Sequence, residues 1–146
     1  MSVREDIVAE ALSWIGTPFH DCAGIKGVGT DCANFPYGVV VSLGLGPARR
    51  IPPYSPQVMM HSNAELFVPI VLEYANELPP DSTILPADLV LWKMGRSFSH
   101  GAIIIDWPRV VHACSPHGVI RDDALRNPRL SSKPRRFFRL KILANE

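Results

Sequence analysis

Cys32, His100 and His112 are the residues of this chain whose types and spacing can do chemistry. Asp31-Cys32 stands just ahead of an apolar run, and the histidines follow in two strand-like segments, Ser99-His100-Gly101 and Val111-His112-Ala113. A cysteine attacks as its thiolate, yet a free thiol with a pKa of ~8.5 is only slightly ionised at neutral pH. Unpaired N–H groups in the first turn of a helix, carrying about half a positive charge, favour the thiolate, and so does a neighbouring imidazolium. The base must stay within hydrogen-bond reach of the sulfur, which a histidine anchored on a rigid strand can do. Together the three make a nucleophile, a base and an orienter. Singly, Cys32 reads as a small buried apolar residue and each histidine as a hydrogen-bonded strand residue beside a turn. The combination is what points to chemistry.

The elements that must position these residues follow from hydrophobic spacing. Residues 3–15 place Ile7, Ala11, Leu12 and Ile15 on one helical face, with Arg4, Glu5 and Asp6 in the first turn. Gly16-Thr17-Pro18-Phe19 ends that helix, and the stretch to Thr30, with Gly24, Gly27 and Gly29, reads as an irregular loop leading to Cys32. From Cys32 to Leu45, Phe35, Val39, Val40 and Leu43 recur with helical spacing and Asp31 is a natural N-cap, which predicts the thiol in the first helical turn. Pro36 leaves the Cys32 carbonyl without its usual partner, so the helix is either kinked there or regular only further on. A Pro-rich connector from Gly46 to Pro56 leads to a further helical pattern over 64–77, with Leu66, Ile70, Leu72 and Tyr74 as its buried stripe and Pro69 as an interruption.

After Pro79-Pro80 the texture changes to short apolar runs at 88–92, 101–105, 109–113, 118–121 and 136–142, separated by turn residues. His100 is thereby expected at the start of a buried strand. If Trp107-Pro108 make a hairpin turn, residues 100 and 112 are symmetric about Asp106 and face one another across the ladder. Helices first and strands afterwards is the α+β arrangement, with helices on one face of an antiparallel sheet of about five strands.

Composition limits the alternatives. A chain of 146 residues, 47% hydrophobic and 20% charged, is expected to fold as one globular domain, 1–146. No run reaches the roughly 18–20 apolar residues that span a bilayer, and the N-terminus carries Glu5 and Asp6 where a signal peptide would be basic. Cytoplasmic synthesis without a signal peptide, and no membrane partner, are the expectations. Net charge is +1, but the basic residues gather after 120, as in Lys133-Pro134-Arg135-Arg136; in so short a segment this reads as a solvated face, and no nucleic acid is expected. Three cysteines are too few, and odd in number, for a disulfide scaffold, which favours Cys32 as a nucleophile and leaves Cys22 and Cys114 without a role. A metal module built from Cys22, Cys32, His100, His112 and Cys114 lacks the closely paired ligands that zinc sites favour, so neither metal nor cofactor is expected.

Gly16-Thr17-Pro18-Phe19, the Gly-rich loop into Asp31-Cys32-Ala33, residues 86–92, Ser99 through Ile105 and Val110 through Ala113 resemble, in order, the motif set of the NlpC/p60 cell-wall cysteine peptidases. The likeness is closest to the compact single-domain branch among phage and prophage tail proteins. It implies a papain-like fold, Cys32 as nucleophile, His100 as general base and acid, and His112 as the polar residue orienting His100. It implies hydrolysis of peptidoglycan stem peptides, typically at the bond between D-glutamate and a diamino acid, by acyl transfer through Cys32. It also implies action at the cell wall after carriage in a phage tail, with tail proteins as partners.

The chain departs from the family pattern in two places. A small Ser-Gly or Ala-Gly pair usually follows the cysteine, whereas here Ala33 is followed by Asn34 and then Pro36. The alternative reading is therefore a catalytically impaired tail-assembly or wall-binding subunit that keeps the fold. The family also commonly has a tyrosine before the Gly-rich loop, where this chain has His20 and Asp21. One of these two is expected to line the cleft, against a plain surface-loop role, and Asp31 and Ser99 are further substrate-binding candidates.

Overall fold

The computed structural model describes residues 2–52, 54 and 65–144. Helix α1 (Val3–Ser13) begins at Ser2, whose hydroxyl accepts from the Glu5 amide at 3.1 Å, with Glu5 and Asp6 set against the positive end of the helix dipole. It buries Ile7 and Ala11, and just beyond it Trp14 packs edge-on against Phe35. Part of the following glycine-rich loop is ordered as a small antiparallel hairpin, β1 (Gly24–Ile25) and β2 (Gly29–Thr30).

The next helix starts later than its apolar spacing predicts. Helix α2 spans Asn34–Ser42, so Cys32 and Ala33 form a turn ahead of it. Asp31 nevertheless caps the segment: its carbonyl accepts from the Phe35 amide at 3.0 Å, and its Oδ1 accepts from the amides of Ala33 at 3.2 Å and Asn34 at 2.8 Å. The next bond in the series would run from residue 36 to the carbonyl of Cys32. Pro36 has no N–H to make it, and regular helix begins only after that gap.

Helix α3 covers Phe67–Tyr74, shorter than the expected 64–77. Residue 64 and the end of the Pro-rich connector lie outside the described residues. Pro69 falls in the first turn, where a missing N–H costs no helical bond, and so does not interrupt the helix. The buried face is Phe67, Val68 and Val71, while Leu66 and Leu72 of the expected stripe are exposed. At its end the chain switches to an extended strand, β3 (Ala75–Glu77), because these residues pair with the strand β8 (Arg135–Leu140): Ala75 lies opposite Leu140 and Glu77 opposite Phe138.

The remaining strands are β4 (Leu89–Met94), β5 (Ser97–Asp106), β6 (Arg109–Cys114) and β7 (Gly118–Asp123), followed by the one-turn helix α4 (Pro128–Ser131). They form an antiparallel sheet in the order β3-β8-β4-β5-β6-β7, six strands rather than about five, because Ala75–Glu77 joins as well. Strand alternation sorts the core into two layers. Leu89, Leu91, Ile103, Val111, Ala113, Phe138 and Leu140 pack with α1, α2 and α3. Val90, Trp92, Ala102, Ile104 and Val110 face the other way, onto Ala124 and Leu130 of the segment around α4. Among the described residues no helix is long and apolar enough to cross a membrane.

Candidate active site

The site forms where the β5–β6 ladder stops. That ladder pairs Ile104 with Val110 and Ile103 with Val111, with a bulge before Asp106, and goes no further toward His100. Ile104 turns its amide and carbonyl to Asp88 and Ala87 on the β4 side. By strand alternation, Ser99 and Gly101 turn theirs to the opposite edge, which β6 leaves open. Cys32 occupies that edge: its thiol donates to the Ser99 carbonyl at 3.3 Å, and the Gly101 amide reaches the sulfur. The nucleophile candidate is thus held against the backbone on either side of His100.

His100 and His112 meet as diagonal neighbours, not as the directly opposed pair expected from symmetry about Asp106. The observed register, continued, sets His112 opposite Ala102, two residues along the same face from His100. Aromatic rings span such a diagonal. The imidazoles lie edge to face with centroids 5.1 Å apart, and His100 Nε2 is 2.8 Å from His112 Nδ1. His100 also lies mid-strand rather than at a strand start, with its ring beside that of Trp92 on β4.

A second diagonal continues the line. On β7 the register pairs His112 with Ile120 and Val110 with Asp122, and His112 Nε2 is 2.9 Å from Asp122 Oδ2. Asn127, the N-cap of α4, donates from Nδ2 to the same carboxylate oxygen at 2.7 Å, and the Asp123 amide donates to Oδ1 at 2.8 Å. Asp122 was not legible in the sequence, since the β7 run was expected to end at Arg121. The available signal was a carboxylate at the same alternation as a histidine across one short hairpin.

Burial governs the ionisation of the set. Burial first, and then the Asp31 charge, push the Cys32 thiol up to about 12. Burial, with the neighbouring His112, brings the His100 imidazole down to about 3. His112 is lowered as well, burial outweighing the favourable carboxylate of Asp122. Burial acts to raise Asp122, but the bonds from Asn127 and His112 prevail and hold it below the usual carboxylate range. At neutral pH the resting site is a thiol, two neutral imidazoles and one carboxylate.

The four expected substrate-binding residues sit differently from one another. Asp31 is buried, and its carboxylate is already taken: Oδ1 by Ala33 and Asn34, Oδ2 by the Cys22 amide at 2.7 Å and the Tyr54 hydroxyl at 2.6 Å. Ser99 serves the sulfur through its carbonyl, while its hydroxyl donates to Met94. Asp21 is exposed, and its charge is felt at Cys32. His20 is exposed beside it, with Nδ1 3.2 Å from the Asp21 carbonyl. Tyr54, which the sequence did not single out, is pushed up by burial and by Asp31 and stays a hydroxyl. An apolar cavity of about 200 Å³ adjoins the site, lined by Ala33, Pro36, Tyr54, Phe67, Leu91 and Gly101 among others. Cys22, Cys32 and Cys114 are all free thiols, and among the described residues no group of three His, Cys, Asp or Glu side chains is placed to hold a metal ion.

No protein-family model and no curated protein sequence matches the chain. Solved structures do. The NlpC/p60 domain of the peptidoglycan hydrolase SagA matches with a TM-score of 0.61 and 22% identity over 94% of this chain and 97% of that one. The chain has the NlpC/p60 fold. RipD from Mycobacterium tuberculosis, described as a non-catalytic NlpC/p60 domain protein adapted to peptidoglycan binding, matches with a TM-score of 0.60 and 15% identity over 95% of this chain and 98% of that one. The peptidoglycan hydrolase RipB from the same organism matches with a TM-score of 0.59 and 17% identity over 93% of this chain and 63% of that one. The NlpC/p60 fold therefore carries both hydrolases and a binding protein, and the chemistry must be argued from the side chains.

Proposed function

We propose that the chain is a cysteine peptidase that hydrolyses peptidoglycan stem peptides, with the bond between D-glutamate and the diamino acid as its target. The observation that carries this reading is the grouping of Cys32, His100 and His112, in which a thiol bonds the Ser99 carbonyl next to the histidine that is steadied by a second histidine. His112 occupies Nε2 of His100, so Nδ1 is the nitrogen left for the sulfur. As Cys32 attacks the scissile carbonyl, the S–H bond breaks and its proton passes to His100 Nδ1. The C–N bond then breaks and the leaving amine takes that proton; water, deprotonated by His100, attacks the thioester, the C–S bond breaks to free the carboxylic acid, and the proton on His100 returns to the Cys32 sulfur. The amide of Cys32, which faces its own sulfur, is the donor best placed for the oxyanion, since Asp31 holds those of Ala33 and Asn34.

Digestion of purified peptidoglycan by wild type and by Cys32→Ala, with fragments identified by mass, tests this. Stem-peptide fragments from the wild type alone are expected; identical products from both proteins would overturn it. A second reading, a wall-binding subunit that does not cleave, is favoured by the neutral thiol and imidazole of the resting site and by the presence of RipD among the structures that share the fold. Sedimentation with insoluble peptidoglycan without release of fragments is its signature. We also place the protein on a phage or prophage tail, on the strength of the motif resemblance. Its detection by mass in purified induced particles is the expected result, and its presence only as a free secreted protein would refute the placement.

A further inference from the structure

We propose that Asp122, held by Asn127, is the positioning residue that sets the tautomers of both histidines and so leaves the Nδ1 lone pair of His100 free to take the Cys32 proton. The inference rests on the peptidase reading and adds a residue to it. A carboxylate can only accept hydrogen bonds, so His112 Nε2, 2.9 Å from Asp122 Oδ2, must carry its proton. A neutral His112 then has a bare Nδ1, and at 2.8 Å that nitrogen can only accept, which puts the ring proton of His100 on Nε2. His100 Nδ1 is left bare. One anion at the end of three strands thereby dictates which nitrogen acts two residues away.

The geometry leaves the rings little freedom to choose otherwise. His112 is 1% exposed, so water is a poor substitute partner for its Nε2. Asp122 has its own orientation set from both sides, by the Asn127 side chain on Oδ2 and by the Asp123 amide on Oδ1. Asn127 is in turn fixed because its Oδ1 accepts from the Arg129 amide at 2.9 Å in capping α4. When His100 becomes an imidazolium during attack, its Nε2 proton still points to His112 and the Asp122 charge lies behind, so the same line stabilises the charge as it forms.

The test is nitrogen-15 NMR of the histidine rings in the full chain without substrate, alongside peptidoglycan turnover. In the wild type, His100 and His112 are both expected as Nε2–H tautomers with bare Nδ1. In Asp122→Ala the two rings are expected to become tautomer mixtures, with kcat lower by about tenfold or more and KM little changed. Asp122→Glu is expected to restore part of both. Wild-type His100 protonated on Nδ1, or unchanged tautomers in Asp122→Ala, would overturn the proposal, and the wild-type spectrum decides even if the variants fail to fold. A wild type with the expected tautomers but no peptidoglycan cleavage would instead defeat the peptidase reading.

Discussion

Cys32 is half-buried and bonded to a carbonyl rather than ion-paired with an imidazolium, and this sets its reactivity. With the thiol pushed up to about 12 and His100 brought down to about 3, no thiolate–imidazolium pair stands ready at neutral pH. Proton transfer must accompany attack instead of preceding it. The rate of alkylation of Cys32 by iodoacetamide is expected to climb about tenfold per pH unit from pH 6 to pH 9, following the thiolate fraction of a group whose pKa lies above that range. A rate already level between pH 5 and pH 8 would show a preformed ion pair and contradict this picture. Cys22, exposed on its loop, and Cys114, half-buried like Cys32, are free thiols in the same experiment, so the reading must be taken by peptide mapping or in a background carrying both Cys22→Ser and Cys114→Ser.

The site is assembled by three strands and one capped turn. Splaying of β6 from β5 frees the Ser99 carbonyl and Gly101 amide for the sulfur, and the hairpin from β6 to β7 brings Asp122 onto the face of His112. Asp31 performs the matching task for the nucleophile, tying the amides of Cys22, Ala33 and Asn34 and the Tyr54 hydroxyl to one carboxylate. Asp31→Ala removes a helix cap and leaves several of these donors unpaired. It is expected to lower unfolding stability by about 2–4 kcal/mol in urea titration, with activity falling through misplacement of Cys32. A change under about 0.5 kcal/mol would mean that water replaces these bonds at little cost.

Across the whole molecule, a buried ion network joins the first helix to the late strands. Asp88, fully buried ahead of β4, accepts from Arg4 of α1 at 3.1 Å and from Arg139 of β8 at 2.9 and 2.8 Å, and its Oδ2 accepts from the Leu85 amide at 2.8 Å. Breaking such a set by removing one member leaves charge without compensation. Asp88→Ala is expected to destabilise the fold by roughly 3 kcal/mol in chemical denaturation. Asp88 precedes β4 at the end remote from Trp92, which packs on His100, so turnover per folded molecule should be unchanged. A stable Asp88→Ala protein with lost turnover would show that the network serves the site rather than the fold.

What the sequence by itself determined was local. Helical spacing marked Ile7 and Ala11 for the core, the apolar runs after residue 80 marked the strands, and Asp31 announced a cap, because each is dictated by side-chain period or by a neighbour a few residues away. Pro36 even announced that the helix would be displaced, though not where regular helix resumes. The tertiary structure alone decided the ladder offset of His112 from His100, the capture of Ala75–Glu77 by β8 and the arrival of Asp122 behind His112. Each depends on register between strands. A bulge or an extra paired residue shifts that register without leaving a mark in the periodicity of either strand.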